Sequence, residues 1–284
     1  MNSKPECIVC LFKQALNTAK VVTEDPAVHL EVLRRLTPRV AGATLDQTPA
    51  LLSRPAYEVV SEVTGVSDPY RELKQETNRL ALQMLPLLWE QVVRIPDPLD
   101  AALRAAAAGN IIDLGIGGHV FDIERDVTRM MGAPLAVSEL AAFRDELGTG
   151  RKLLYLGDNA GEIVLDRLLV EEILRTGTEV VYTVKSGPII NDATMEDARV
   201  SGMTSLVEVI ETGSDHIGVN WDAISDDFRR AFEAADVIVS KGQGNFESCC
   251  DVRANLYFLL KAKCRVVAEE LGAEEGQVVF KRRG

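Results

Sequence analysis

The sequence predicts an α/β protein in which a parallel sheet lies between helices and is preceded by a helical region. Three observations lead there. Residues 1 to about 105 repeat apolar side chains three or four positions apart, the helical spacing. From about residue 150, apolar β-rich runs alternate with helical patterns, as strands joined by right-handed crossover helices require. Those runs are apolar on both faces, which suits burial between two helix layers.

Each element follows from local chemistry. Helical spacing runs from Cys7 to Val22 and through 28–36, 56–63 and 71–93, with Pro26, Pro38, Pro49, Pro55 and Pro69 as punctuation. The alanine-rich LDAALRAAAA (99–108) is a strong helix former, and Gly109 is its natural stop. The division expected is a helical N-terminal region, 1–105, and an α/β Rossmann-like domain, 106–284. In that domain LLYL precedes a helix over 161–175, and EVVYTV one over 194–201. LVEVI leads to 222–235, and DVIVS to an irregular glycine-rich loop. NLYFLLKA is followed by a last helix, 265–271.

Composition narrows the function. The 284 residues carry a formal charge of −12, which argues against nucleic acid or an anionic membrane surface as a partner. An acidic protein that handles phosphate needs local cationic help. No apolar stretch reaches membrane-spanning length and the N-terminus lacks a secretory layout, so a cytoplasmic location is expected. Five cysteines, an odd number on a long chain, read as reduced thiols.

Ligands of open parallel sheets bind outside the carboxyl ends of the strands. Three such ends carry polar groups beside glycine: Gly157-Asp158-Asn159-Ala160-Gly161-Glu162, Lys185 to Asp192, and Ser240-Lys241-Gly242-Gln243-Gly244-Asn245-Phe246-Glu247. Asp158, Asn159 and Asp192 offer only oxygen, which favours Mg²⁺ or Mn²⁺ over zinc or copper. Glycines in KGQGN allow backbone N–H groups to approach anionic oxygens. Together these suit metal-assisted phosphoryl chemistry. The plainer reading of each is a turn or helix cap, and Thr194 to Asp197 does resemble a capping box. Three such ends on one sheet favour a shared crevice.

The segments GDNAGEIVLD, PIINDATMEDA, SKGQGNFES and LLKAKCRVVAEELG together resemble the damage-control phosphatase family. DPYRELKQETN (68–78) and GNIIDLG (109–115) are also similar to family segments, so the likeness spans nearly the whole chain. Cys7-Ile8-Val9-Cys10 matches the N-terminal CxxC of the archaeal and bacterial branch. The resemblance implies a three-layer αβα, doubly wound and mostly parallel sheet with a divalent metal at its strand ends. The implied activity is hydrolysis of small phosphometabolites, such as sugar phosphates or damaged cofactor phosphates, with Mn²⁺ or Mg²⁺, or with Co²⁺ or Ni²⁺. By motif, Asp158, Asn159 and Asp192 would be the metal ligands. Ser240, Lys241, Gly242, Gln243, Gly244 and Asn245 would cradle the substrate, with Glu162 nearby. Lys261 matches a phosphate-binding lysine, with Lys263 as the alternative, because the eukaryotic branch's Arg-Thr-x-Lys is absent.

Other residues remain with two readings. Cys7 and Cys10 lie one helical turn apart and are either inert buried thiols or a second metal or redox site. Asn110 and Asp113 either reach the crevice or form a helix-end turn. His29, His119 and His216 are isolated and read as surface or satisfied structure, and Lys74 with Asn78 reads as a solvated helix face. Two rival functions stand beside the phosphatase. One is S-adenosylmethionine-dependent methyl transfer, against which Asp158-Asn159 breaks the glycine spacing and Lys185 replaces an expected acid. The other is a non-enzymatic CxxC module. A dinucleotide fingerprint is not present.

Overall fold

The computed structural model describes residues 1–109, 132 and 134–283. Its sheet contains β1 (Val137–Ser138), β2 (Lys152–Leu156), β3 (Glu179–Val184), β4 (Glu208–Glu211), β5 (Val237–Lys241), β6 (Leu256–Lys261) and β7 (Val278–Arg282). The spatial order is β1-β7-β6-β5-β2-β3-β4. All neighbours are parallel except β6 and β7, which run antiparallel. The chain builds outward from β2 through β3 to β4, then returns to β5 on the other side of β2. β2 and β5 therefore flank the point where strand order reverses, the place where open α/β sheets hold ligands.

Side chains alternate across the sheet with period two. Leu153, Tyr155, Tyr182 and Val239 bury one face against α8 (Glu162–Arg175), α5 (Arg71–Arg94), α6 (Pro98–Ala107) and α7 (Leu140–Asp145). Leu154, Leu156, Ile238 and Phe258 bury the other against α10 (Asp226–Ala234), α11 (Gln243–Cys249) and α12 (Arg265–Leu271). This is the three-layer αβα, mostly parallel arrangement expected. The early helices divide: α5 and α6 share the sheet's core, whereas α1 (Pro5–Val22), α2 (Pro26–Val40) and α4 (Arg54–Thr64) close a core of their own around Leu11, Ala15, Val32, Leu36 and Val59. Two short segments complete the described α-helices, α3 (Pro49–Leu52) and α9 (Met195–Val200), and a 3-10 turn follows at Met203–Ser205.

The structure departs from the sequence reading in two places. The segment expected to be an irregular loop after β5 is helix α11, which starts directly after Gly242 at φ 80° without a capping side chain. Its interior Gly244 lowers helix propensity, so packing against the sheet is what makes it a helix. The edge strand β1 and its neighbour β7 were not expected: β1 is two residues long, and β7 lies beyond the last helix read.

Candidate active site

The loops after β2 and β3 are joined by their backbones. Ala193 N donates to Asp158 O at 2.8 Å, and Ala160 N donates to Asn191 O at 2.8 Å. Asn159 and Asp192 thus form an isolated antiparallel bridge beyond the sheet. The second loop holds Ile190 at φ 39°, a left-handed conformation that a β-branched residue rarely adopts. Asn159 donates through Nδ2 to Asp158 Oδ2 at 3.1 Å and to Glu162 Oε1 at 2.9 Å. Its carboxamide oxygen is then the atom suited to a cation.

Charge at this point is unbalanced. Burial, then Glu162 and Asp192, push the Asp158 carboxyl well above its usual range. Burial raises Asp192 to about 6 although Lys185 and Lys263 oppose it. Lys185 Nζ stands 3.7 Å from Asp192 Oδ2 and donates to Gly218 O. Like-charged carboxylates facing one another favour an added cation. Among the described residues no three His, Cys, Asp or Glu side chains are grouped to hold one ion. The candidate donor set is instead two carboxylates and the Asn159 carboxamide. Its all-oxygen chemistry fits a hard divalent ion.

Beneath the loops lies a buried network. Lys241 Nζ donates to Asp166 Oδ1 at 2.7 Å and to Ala106 O at 2.8 Å. It lies 3.1 Å from Glu162 Oε2, a charge contact off the hydrogen-bond direction. Tyr155 and Tyr182 stack with centroids 5.0 Å apart, and both hydroxyls donate to Asp166. Burial pulls the Lys241 pKa down, but Asp166 and Glu162 overcome it and raise it, so the lysine is charged.

Asp158, Asn159 and Asp192 open into a cavity of about 430 Å³. Lys263, Gln243 and Gly244 line it, so Lys263 rather than Lys261 faces the carboxylates; Lys261 ends β6 on its own strand. Of the 240–245 segment, Ser240, Lys241, Gly242 and Asn245 are buried and do not line the cavity: Ser240 and Lys241 end the buried strand β5, Gly242 caps α11, and Asn245 turns inward from that helix. Asn245 donates to Gly157 O at 2.9 Å and to Lys241 O at 2.8 Å. Glu162 also sits behind the wall, 1% exposed, holding Asn159. Asn110 and Asp113 lie outside the described residues, as does His119.

Cys7 and Cys10 are not buried core thiols: both line the cavity from α1, as does Cys264 from the start of α12. Lys74 and Asn78 are also not on a solvated face, being 5% and 2% exposed. Asn78 Oδ1 accepts from Gly161 N at 2.7 Å and Asn78 Nδ2 donates to Asp197 Oδ1 at 2.8 Å, so α5 is pinned to the loop after β2. Asp197 closes the expected capping box of α9 with Thr194. His29 Nε2 is satisfied by Thr23 O at 2.8 Å, and His216 packs against Arg54. Glu247 was not singled out as a site residue in the sequence, yet it lines the cavity. The signal was its helical phase, four residues after Gln243, which the loop reading of 240–247 hid.

A doubly wound sheet with an oxygen-rich crevice at its switch point defines the class: an α/β enzyme whose site suits a cation and a phosphate. Comparison with known proteins narrows this. The family model of the damage-control phosphatase ARMT1-like domain matches residues 3–279. The chain belongs to that family of phosphatases. It is 36% identical to a damage-control phosphatase of Archaeoglobus fulgidus, covering 99% of each chain, and 32% identical to one of Pyrococcus horikoshii, covering 99% of this chain and 98% of that one. A mouse 4'-phosphopantetheine phosphatase is 30% identical over 49% of this chain and 19% of its own length. The crystal structure of a DUF89 family protein from Pyrococcus horikoshii superposes with a TM-score of 0.92 at 31% identity, covering all of both chains. Phosphatases of the family are metal-dependent.

Proposed function

We propose that this phosphatase hydrolyses small phosphate monoesters, with a divalent ion held by Asp158, Asn159 and Asp192. The observation that carries the reading is the pairing of the two strand-end loops, which brings all three side chains to one cavity with Lys263. Mn²⁺ or Mg²⁺ suits these donors best. When bound, such an ion supplies positive charge to a phosphate oxygen and acidifies water. The chain's own groups do the rest. Lys263 complements charge on the remaining phosphate oxygens, where preorganised donors contribute most. Glu162 fixes the carboxamide of Asn159, and the buried Lys241 holds Glu162 in turn. α1, with Cys7 and Cys10, covers the cavity and limits water around the ester. Protein charge gives a phosphate little general attraction at −12, so the local cations must supply it.

The test is a panel of phosphometabolites, with sugar phosphates and 4'-phosphopantetheine included, assayed with Mg²⁺, Mn²⁺, Co²⁺ or Ni²⁺. Turnover should require the ion. Asp158→Ala should abolish Mn²⁺ binding measured by electron paramagnetic resonance and reduce turnover by orders of magnitude with the fold retained. Full turnover in chelator, or in Asp158→Ala, would refute this assignment. Hydrolysis in ¹⁸O-labelled water in a single turnover should place label directly in phosphate; label in the Asp158 carboxylate would make that residue the nucleophile instead.

A further inference from the structure

The cavity holds a carboxyl group that the site above does not use. Glu247 lies on α11, 7% exposed, and lines the same cavity as Asp158, Asp192 and Lys263. Its Oε1 accepts from Gln243 Nε2 at 2.8 Å, and Gln243 Oε1 accepts from Lys263 N at 3.1 Å. One glutamine side chain thus positions this carboxyl relative to the lysine loop. Among the cavity's described acids, Glu6 is exposed, and Asp158 and Asp192 face one another as candidate ligands. Glu247 is the one held apart from that pair.

The surroundings favour a neutral carboxyl. Burial raises Glu247 to about 7, against the Gln243 amide, the Met1 ammonium and the Ala50 N–H, which pull it down. The Met1 ammonium bonds the Glu247 carbonyl at 2.9 Å and pairs with Asp251 at 2.7 Å, so most of its charge is already answered. From α1, Cys7 and Cys10 face the carboxyl, and from α4, Tyr57; burial raises all three, so none adds a charge at neutral pH. An acid poised near the working pH is the best proton donor available to a leaving group.

We propose that Glu247 is the general acid of the reaction, giving its proton to the leaving oxygen of the phosphate ester. This rests on the phosphatase reading. In the step, water oxygen forms a bond to phosphorus while the ester P–O bond breaks. The leaving oxygen keeps that electron pair and takes the Glu247 proton, so the alcohol departs neutral. The proton lost by the attacking water returns through solvent to the Glu247 carboxylate, and the products are alcohol and inorganic phosphate.

The experiment compares p-nitrophenyl phosphate, whose leaving group needs no proton, with a series of alkyl and aryl phosphates of rising leaving-group basicity. Glu247→Gln keeps the shape and the contact with Gln243. It should lower kcat for alkyl phosphates ~10²- to 10⁴-fold, the usual worth of a general acid, while p-nitrophenyl phosphate turnover stays within a few-fold. In the intact protein, alkyl phosphate kcat/KM should fall above an apparent pKa of about 7, and this limb should vanish in the variant. An equal loss on both substrates, with Mn²⁺ binding and thermal midpoint retained, would overturn the role, as would no loss on either. Should the variant be unstable, the leaving-group dependence of the unaltered protein decides: a flat dependence supports the acid, and a steep one overturns it. An unaltered protein inactive on every ester would remove the phosphatase reading, and this inference with it.

Discussion

Gly242 lies directly under Asp158: a Cβ at position 242 would stand 2.0 Å from Asp158 Oδ2. Two strand ends therefore meet at one carboxylate, β2 by supplying it and β5 by leaving it room. Gly242 also holds φ 80° and ψ 165°, a region open essentially to glycine alone that costs an L-residue roughly 1–3 kcal/mol. Gly242→Ala should displace the Asp158 carboxylate, weaken Mn²⁺ binding and lower kcat/KM by ~10²-fold, as misplacement by about an ångström does elsewhere. A Mn²⁺ titration followed by electron paramagnetic resonance checks it. Unchanged affinity would show that Asp158 does not hold the ion.

Lys241 offers a test of the buried network. With Asp166 at 2.7 Å and Glu162 at 3.1 Å, all 1% exposed or less, removing the cation leaves two uncompensated buried carboxylates. Lys241→Met should cost ~3–5 kcal/mol in urea unfolding of the metal-free protein. Adding Asp166→Asn should recover part of that loss, because one of the stranded charges is gone. Additive losses would sink the coupling.

Asn78 joins the helical region to the site. Asn78→Ala leaves Gly161 N and Asp197 Oδ1 without their partner in a buried place, at ~1–3 kcal/mol each. The expected outcome is a loss of ~2–5 kcal/mol in urea unfolding. It should come with weaker ion binding, since Gly161 closes the loop that carries Asp158. A neutral result would return α5 to a merely covering role.

Glu247 gives a pH dependence of stability. The folded protein keeps a proton up to about 7 that an unconstrained glutamate releases near 4.5. Folded protein therefore binds more protons than unfolded between these values, so stability falls as pH rises through that window and is level above it. The full effect is at most ~3 kcal/mol. Calorimetry of the metal-free protein should show Glu247→Gln losing several degrees less than the unaltered protein between about pH 5 and pH 8. Parallel curves would contradict it.

Cys7 and Cys10 form a wall. Burial raises both thiols, so neither carries charge near neutral pH. Cys7→Ser with Cys10→Ser should leave kcat on p-nitrophenyl phosphate within a few-fold and change KM for bulkier esters. Loss of kcat with intact folding, seen by circular dichroism, would promote the pair to a functional site.

By itself the sequence determined the mostly parallel sheet and its strand ends, and it offered the oxygen donors proposed for the ion. Periodicity and composition are local properties: LLYL and EVVYTV are apolar on both faces wherever they fold, and GDN and IND sit at their ends in any register. Tertiary structure decided which of these residues share a cavity. Strand order placed β5 beside β2 and so put Gly242 under Asp158, a neighbourhood of residues more than eighty apart. Packing made 243–249 a helix despite Gly244, which turned Asn245 inward and brought Glu247 to the wall. It also buried Lys74 and Asn78, whose polar character suggested solvent, because their partners Asp68, Asp197 and Gly161 N come from other segments. A polar side chain declares its chemistry in the sequence, but whether water or protein satisfies it depends on contacts between distant segments that only folding creates.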